Sequence, residues 1–210
     1  MSLIRDGVII ILSSPSGAGK TTLVKKLSEI DNFRISVSYT TRIPRINEIN
    51  GKDYYFISKD DFQKLINEDN LLEYAKVFNN YYGSSKKKVF NLLEKGNNVL
   101  FDIDWQGADQ IRKKKLDYKL LTFFILPPSK ETLHSRLAER ENNENSIILE
   151  RMQSFQNDVK HWNEYDHVVI NDNLEICYSE ILKKIEYFLH NKAYSYDKTK
   201  VESHIEKLLD

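Results

Sequence analysis

Ten residues, Ser13 to Thr22, read SSPSGAGKTT, and their spacing is that of a loop that holds phosphate. The P-loop pattern is Gly, four residues, then Gly-Lys-Ser/Thr. Here Gly19, Lys20 and Thr21 supply its end, while Ser14 stands where the first glycine belongs. Successive backbone N–H groups and a helix N-terminus point into one concavity, the lysine reaches the β- and γ-phosphates, and the Ser/Thr hydroxyl holds Mg²⁺. Ser14, Pro15, Ser16, Gly17, Ala18, Gly19, Lys20, Thr21 and Thr22 are therefore the candidate triphosphate-binding residues, with Lys20 the catalytic cation. The first glycine of the pattern sits near the strand end, where a small residue with ordinary φ suffices; Gly17 and Gly19 lie where the backbone must wrap the phosphate. The alternative is a Gly/Ser-rich turn with no ligand. A metal held this way wants a carboxylate beside the loop, acting through water. "VLFDID" supplies Asp102 and Asp104 at the end of an apolar run; two apart on a strand, they face the same side. One of them alternatively caps the following turn.

These residues need a scaffold, and the hydrophobic pattern describes one. Four short apolar runs, Val8 to Leu12, Val99 to Phe101, Leu121 to Leu126 and His167 to Ile170, alternate with helix-like segments. Runs of this kind read as strands of a parallel sheet buried on both faces, joined by right-handed crossovers. The expected class is α/β: a P-loop-type parallel sheet with flanking helices, a small inserted mixed β/α domain and a helical lid. Leu23, Val24, Leu27 and Ile30 mark one helix face, and Leu174 to His190 a second helix. Ser36 to Phe56 alternates in β fashion around a turn region, with Ile35 opening the alternation, and a helix follows over Asp60 to Asn67, capped by Ser58 with Asp61 three residues on. Ser129 to His161 is charged and helical, broken by "ENNENS" at Glu141 to Ser146, and is the candidate lid. The expected layout is one domain: core at about 1–35, 97–128 and 160–192, insertion at about 36–96, lid at about 129–159 and a tail at about 193–210 that ends in a short helix.

Composition narrows the partners. The 210 residues carry 31 basic and 31 acidic side chains, so no net field favours a polyanion. The lysine runs Lys86 to Lys88 and Arg112 to Lys115 lack interleaved aromatics and read as solvated helix faces, so nucleic acid is not an expected partner. The longest apolar run is far shorter than the roughly 20 residues of a membrane span, and the expected location is cytoplasmic, with no membrane partner. The lone Cys177 reads as a buried small side chain, and the five histidines show no zinc spacing.

Five further stretches, "SVSYTTRIPR" (Ser36 to Arg45), "GKDYYF" (Gly51 to Phe56), "NYYGS" (Asn80 to Ser84), "DIDWQG" (Asp102 to Gly107) and "LPPS" (Leu126 to Ser129), stand in order after the P-loop. Together they resemble the guanylate kinases, P-loop nucleoside monophosphate kinases, from the P-loop to about Asp172. The resemblance implies transfer of the γ-phosphate of ATP to GMP, giving ADP and GDP, with dGMP as a further acceptor and Mg²⁺ as the accompanying ion. It also implies small-molecule partners alone, ATP and GMP, on a monomer or homodimer.

A monophosphate dianion wants planar forks and phenolic donors, which Arg42, Arg45, Tyr54 and Tyr82 can provide; the matching positions of the family bind the GMP phosphate. The alternative for the arginines is a solvated charge. The acceptor oxygen is already ionised at neutral pH, so catalysis needs alignment and charge neutralisation rather than a general base. By resemblance Glu73 and Asp104 meet the N1–H and N2 donors of guanine, Ser38 contacts the base, and Gly83 and Ser84 lie beside the cage. Glu73 alternatively is an ordinary exposed strand or helix residue. Similar lid arginines approach the ATP phosphates, which makes Arg136, Arg140 and Arg151, with Arg42, the catalytic candidates beside Lys20; the alternative is a set of surface ion pairs. Asn171 falls near the expected adenine pocket. Thr21 and, through water, Asp102 are the implied metal ligands. Two rivals share the fold: a peptide-binding scaffold domain, in which the P-loop lysine or lid arginines are typically lost, and a kinase for another phosphorylated acceptor.

Overall fold

The computed structural model describes residues 7–140, 144–192 and 197–209. Nine strands and eight α-helices are found among them, in a five-stranded sheet of order β2-β7-β1-β8-β9 and a four-stranded sheet of order β4-β3-β6-β5. The α/β class read from the sequence is the class observed. The described residues form two compact units, one of 7–11 and 30–120, the other of 12–29 and 121–209.

β1 (Ile9–Ser13) is buried at every position, as a strand covered on both faces must be. In the first unit β2 (Phe33–Ile35) runs parallel to β7 (Asn98–Asp102), in the register Phe33↔Asn98 to Ile35↔Leu100. This strand is not among the four apolar runs read from the sequence. Only three residues long and carrying the exposed Arg34, it shows no apolar run. The insertion holds β3 (Tyr39–Thr40), β4 (Tyr55–Phe56), β5 (Leu71–Val77) and β6 (Asn80–Ser85). β5 and β6 form an antiparallel hairpin, Glu73 opposite Ser84 and Ala75 opposite Tyr82. Its turn uses Phe78 and Asn79 at positive φ, 46° and 64°, the conformation tight hairpins demand. α2 (Lys59–Asn67) starts at Ser58, whose hydroxyl accepts from Asp61 N at 3.0 Å, the cap the sequence spells out. α3 (Lys86–Glu94) packs on β7, and α4 (Trp105–Lys114) on β5.

In the second unit α1 (Lys20–Leu27) buries Leu23, Val24 and Leu27 and ends before Ile30. It packs on α7 (Leu174–Leu189), which Asn173 caps through Glu175 N and Ile176 N. β8 (Leu120–Leu126) and β9 (His167–Ile170) pair in parallel. α5 (Lys130–Arg140) packs on α6 (Asn145–Val159). Residues 141–143 of the expected helix break lie outside the described residues, while Asn145 and Ser146 belong to α6. α8 (Lys198–Leu209) buries Val201, Ile205 and Leu208, and His204 Nε2 lies 2.9 Å from Pro127 O.

Candidate active site

The triphosphate loop is built at the end of β1. Its left-handed residues are Gly17 (φ 90°) and Gly19 (φ 93°), the two positions where the sequence reading required glycine. Gly19 is the N-cap of α1, and a Cβ there would collide with the Asn171 amide as well as strain the backbone. Ser14 keeps ordinary backbone geometry, its hydroxyl donating to Pro15 O at 2.9 Å. Lys20 therefore opens a helix whose first N–H groups face the loop, and no acidic side chain occupies that first turn. Thr21 and Thr22 follow on its exposed side.

The three candidate lid arginines all reach this loop. Arg140 Nη2 donates to Ser16 Oγ at 2.7 Å and Arg151 Nη1 to the same oxygen at 2.5 Å. Arg136 bridges Ala18 O (3.5 Å) and Asn171 O (3.2 Å). α5 supplies two of them four residues apart on one face, α6 the third. Asn171, at the end of β9 and buried, donates from Nδ2 to Ala18 O at 2.8 Å. This hydrogen bond braces the loop backbone.

The candidate acceptor cage lies on and beside the mixed sheet. The Arg42 guanidinium lies 5.4 Å from the Tyr54 ring centre and 5.9 Å from that of Phe56, and Tyr54 meets Tyr82 edge-on at 6.0 Å. Glu48, which the sequence reading passed over, ties the cage together. Arg42 Nη2 donates to its Oε1 at 2.8 Å, Arg45 N to its Oε2 at 2.8 Å, and Arg45 Nη1 stands 3.6 Å from Oε1. Burial opposes the charged form of both Arg42 and Glu48. The hydrogen bond and charge between them win, raising the Arg42 pKa and lowering that of Glu48. Arg42 is thus a paired, largely buried charge rather than a solvated one. Burial, with the charges of Asp102 and Tyr82 outweighing Arg42, pushes the Tyr54 phenol well above its usual range. It stays a neutral O–H donor, the form that serves an anion.

The base-reading candidates cluster on the same sheet. Glu73 on β5 is 3% exposed, which excludes the ordinary exposed residue. Its Oε1 accepts from Ser84 Oγ at 2.6 Å, and Ser38 Oγ lies 3.4 Å from Ser84 Oγ. Ser84 and Tyr82 are two apart on β6 and share a face; Gly83 between them faces the opposite side, packed against Phe62 and Leu71. Asp104 does cap α4, its Oδ1 accepting from Gly107 N at 3.0 Å and its Oδ2 from Gln106 Nε2 at 2.9 Å. Asp102 closes β7 and is half-buried. Thr21 and Asp102 each offer a hard oxygen donor of the kind divalent cations accept. Among the described residues no group of three or more His, Cys, Asp or Glu could hold a metal ion.

Burial pushes the Cys177 thiol up to about 12, so it is inert as a nucleophile. The Lys86 to Lys88 run is not wholly a solvated face: Lys88 Nζ sits 3.3 Å from the Tyr55 ring centre and Lys86 pairs with Asp69. No helix among the described residues is long and apolar enough to cross a membrane.

Comparison with known proteins agrees with this geometry. Residues 7–190 match the family model described as guanylate kinase. The chain is 50% identical to the guanylate kinase of Rickettsia prowazekii over 186 residues, covering 88% of this chain and 91% of that protein. It is 49% identical to that of Rickettsia felis, covering 88% and 94%. The crystal structure of guanylate kinase from Anaplasma phagocytophilum superposes with a TM-score of 0.73 at 35% identity, covering 87% of this chain and 86% of that one. A triphosphate loop with converging arginines, a guanidinium–phenol cage and a buried carboxylate–serine cluster, found in a chain with these relatives, mean that it belongs to the guanylate kinase family.

Proposed function

We propose that the chain transfers the γ-phosphate of ATP to GMP, giving ADP and GDP, and so serves the synthesis and recycling of guanine nucleotides. The observation that carries this reading is the mixed sheet, where an Arg42–Tyr54–Tyr82 cage and a buried Glu73–Ser84–Ser38 cluster are built from strands β5 and β6 and from residues flanking β3 and β4. A nucleoside monophosphate is the molecule that needs both. The cage receives its dianion through forks and phenols. Glu73 accepts from guanine N1–H and N2, with Ser84 fixing the carboxylate and Ser38 facing the base; Asp104 adds a second acceptor. Adenine has no N2 amine and presents a lone pair at N1, so it would leave the buried carboxylate unanswered.

Lys20, Arg136, Arg140 and Arg151 neutralise the ATP phosphates, and the loop amides align them. Thr21 and Asp102 are the residues that would hold Mg²⁺, which would supply charge neutralisation at the phosphates. No protein base is required. The groups named touch phosphate and base and none of them requires the ribose 2′-hydroxyl, so dGMP is an acceptor too.

A coupled assay with GMP, dGMP, AMP and UMP tests this. The expected order is GMP first, dGMP turned over, and AMP and UMP lower by roughly 10⁴-fold in kcat/KM. Preference for AMP or UMP contradicts the substrate assignment.

A further inference from the structure

We propose that Gly107 is a positioning residue for recognition of the acceptor's base: its missing side chain leaves the volume that the Glu73 carboxylate occupies. The inference rests on the reading of this site as a GMP site. Gly107 lies inside α4 and its φ is outside the left-handed region, so no turn requires glycine there. What glycine supplies is space. A Cβ at this position would stand closer than 3.0 Å to Glu73 Oε2, a distance real Cβ atoms essentially never show, and 3.1 Å from Glu73 Cδ and 3.3 Å from Ile103 Cδ1.

Glu73 has little freedom to give way. It is 3% exposed, and its other oxygen is held by Ser84. Its strand is also pinned to the same helix. β5 is an edge of the mixed sheet, and the Gln110 side chain takes the place of a further strand, accepting from Tyr74 N at 3.1 Å and donating to Tyr74 O at 2.6 Å. Gln110 and Gly107 are three apart and lie on one helix face. One residue clamps β5 beside Glu73, and the other leaves the gap into which Glu73 fits. The Gly107 amide also donates to Asp104 Oδ1 at 3.0 Å, so a single position sets both carboxylates.

The test is a double-mutant cycle of Gly107→Ala with Glu73→Asp, whose shorter side chain makes room for the added methyl. Steady-state constants are measured for GMP, AMP and ATP, with urea unfolding of each variant. Gly107→Ala is expected to raise KM for GMP and cut the GMP-over-AMP preference by about tenfold or more, leaving KM for ATP within about twofold. In the double variant the loss is expected to be smaller than the product of the two single losses, the signature of a direct contact. An unchanged GMP preference in Gly107→Ala, a strictly multiplicative double variant, or an equal loss toward GMP and ATP overturns the proposal. Should Gly107→Ala fail to fold, the double variant is expected to fold, and failure of both also overturns it. A wild-type enzyme without preference for GMP over AMP refutes the acceptor assignment itself, a result separate from all of these.

Discussion

Glu48 shows what a counter-ion does between two arginines. Arg42 without a partner would leave a largely buried positive charge beside Tyr54 and Phe56, and Glu48 meets it at 2.8 Å and Arg45 at 3.6 Å. It also accepts from the Arg45 amide, so it shapes the loop as well as balancing its charge. Glu48→Gln keeps the shape and removes the charge. KM for GMP is expected to rise about fivefold, the loss of about 1 kcal/mol for one hydrogen-bonded pair, with KM for ATP unaltered; an unchanged KM for GMP contradicts the role. Nothing in "RIPRINE" marks this glutamate, because a counter-ion has no fixed spacing from its partner and becomes visible only when the loop folds. The phosphate loop is the opposite case. Its chemistry needs glycine where φ is near 90°, at Gly17 and Gly19, and that requirement is written directly into residue types. Glu73, Ser84 and Ser38 stand between these cases: 46 residues separate the two serines, and resemblance alone brought them together on the page of the sequence.

At the scale of elements, helices α5 and α6 act through arginines aimed at one hydroxyl. Ser16 Oγ accepts from both Arg140 and Arg151, so these charges gather at the loop, and phosphate oxygens are better acceptors than a serine. Arg140→Ala combined with Arg151→Ala is expected to lower kcat by about a hundredfold or more, since charge stabilisation of this kind is expressed in the transition state. KM for GMP is expected to stay within about twofold. Steady-state kinetics decide, and an unaltered kcat would reduce the pair to surface charges. The charged helical segment was legible in its composition, and the arginine targets were not. The core strands were legible where burial on both faces made them wholly apolar, as in β1 and β8. β2 escaped because Phe33-Arg34-Ile35 is short and exposes its middle residue. The β5–β6 hairpin was obscured by a turn made from Phe78 and Asn79 without glycine.

For the whole molecule, stability on acidification has an identifiable contributor in His167 on β9. Burial, with the neighbouring Lys184 ammonium, pushes its imidazole down to about 4 against the opposing pull of Asp166. The unfolded chain takes up a proton below about 6.5, whereas the folded chain declines it until about 4. Stability from this group is therefore full above 6.5 and falls as pH drops toward 4. Urea unfolding at pH 7.5 and 5.5 is expected to show a smaller acid loss in His167→Gln than in the wild type, and equal losses contradict it.

The proposal is that Lys20 serves the donor triphosphate and Arg42 the acceptor phosphate. Its most direct test is calorimetric binding of a single molecule carrying adenosine and guanosine joined by five phosphates. The account predicts affinity well beyond that of ATP or GMP alone, weakened by Lys20→Ala and equally evident as weakening in Arg42→Ala. Binding no tighter than ATP, or insensitive to either substitution, would contradict it.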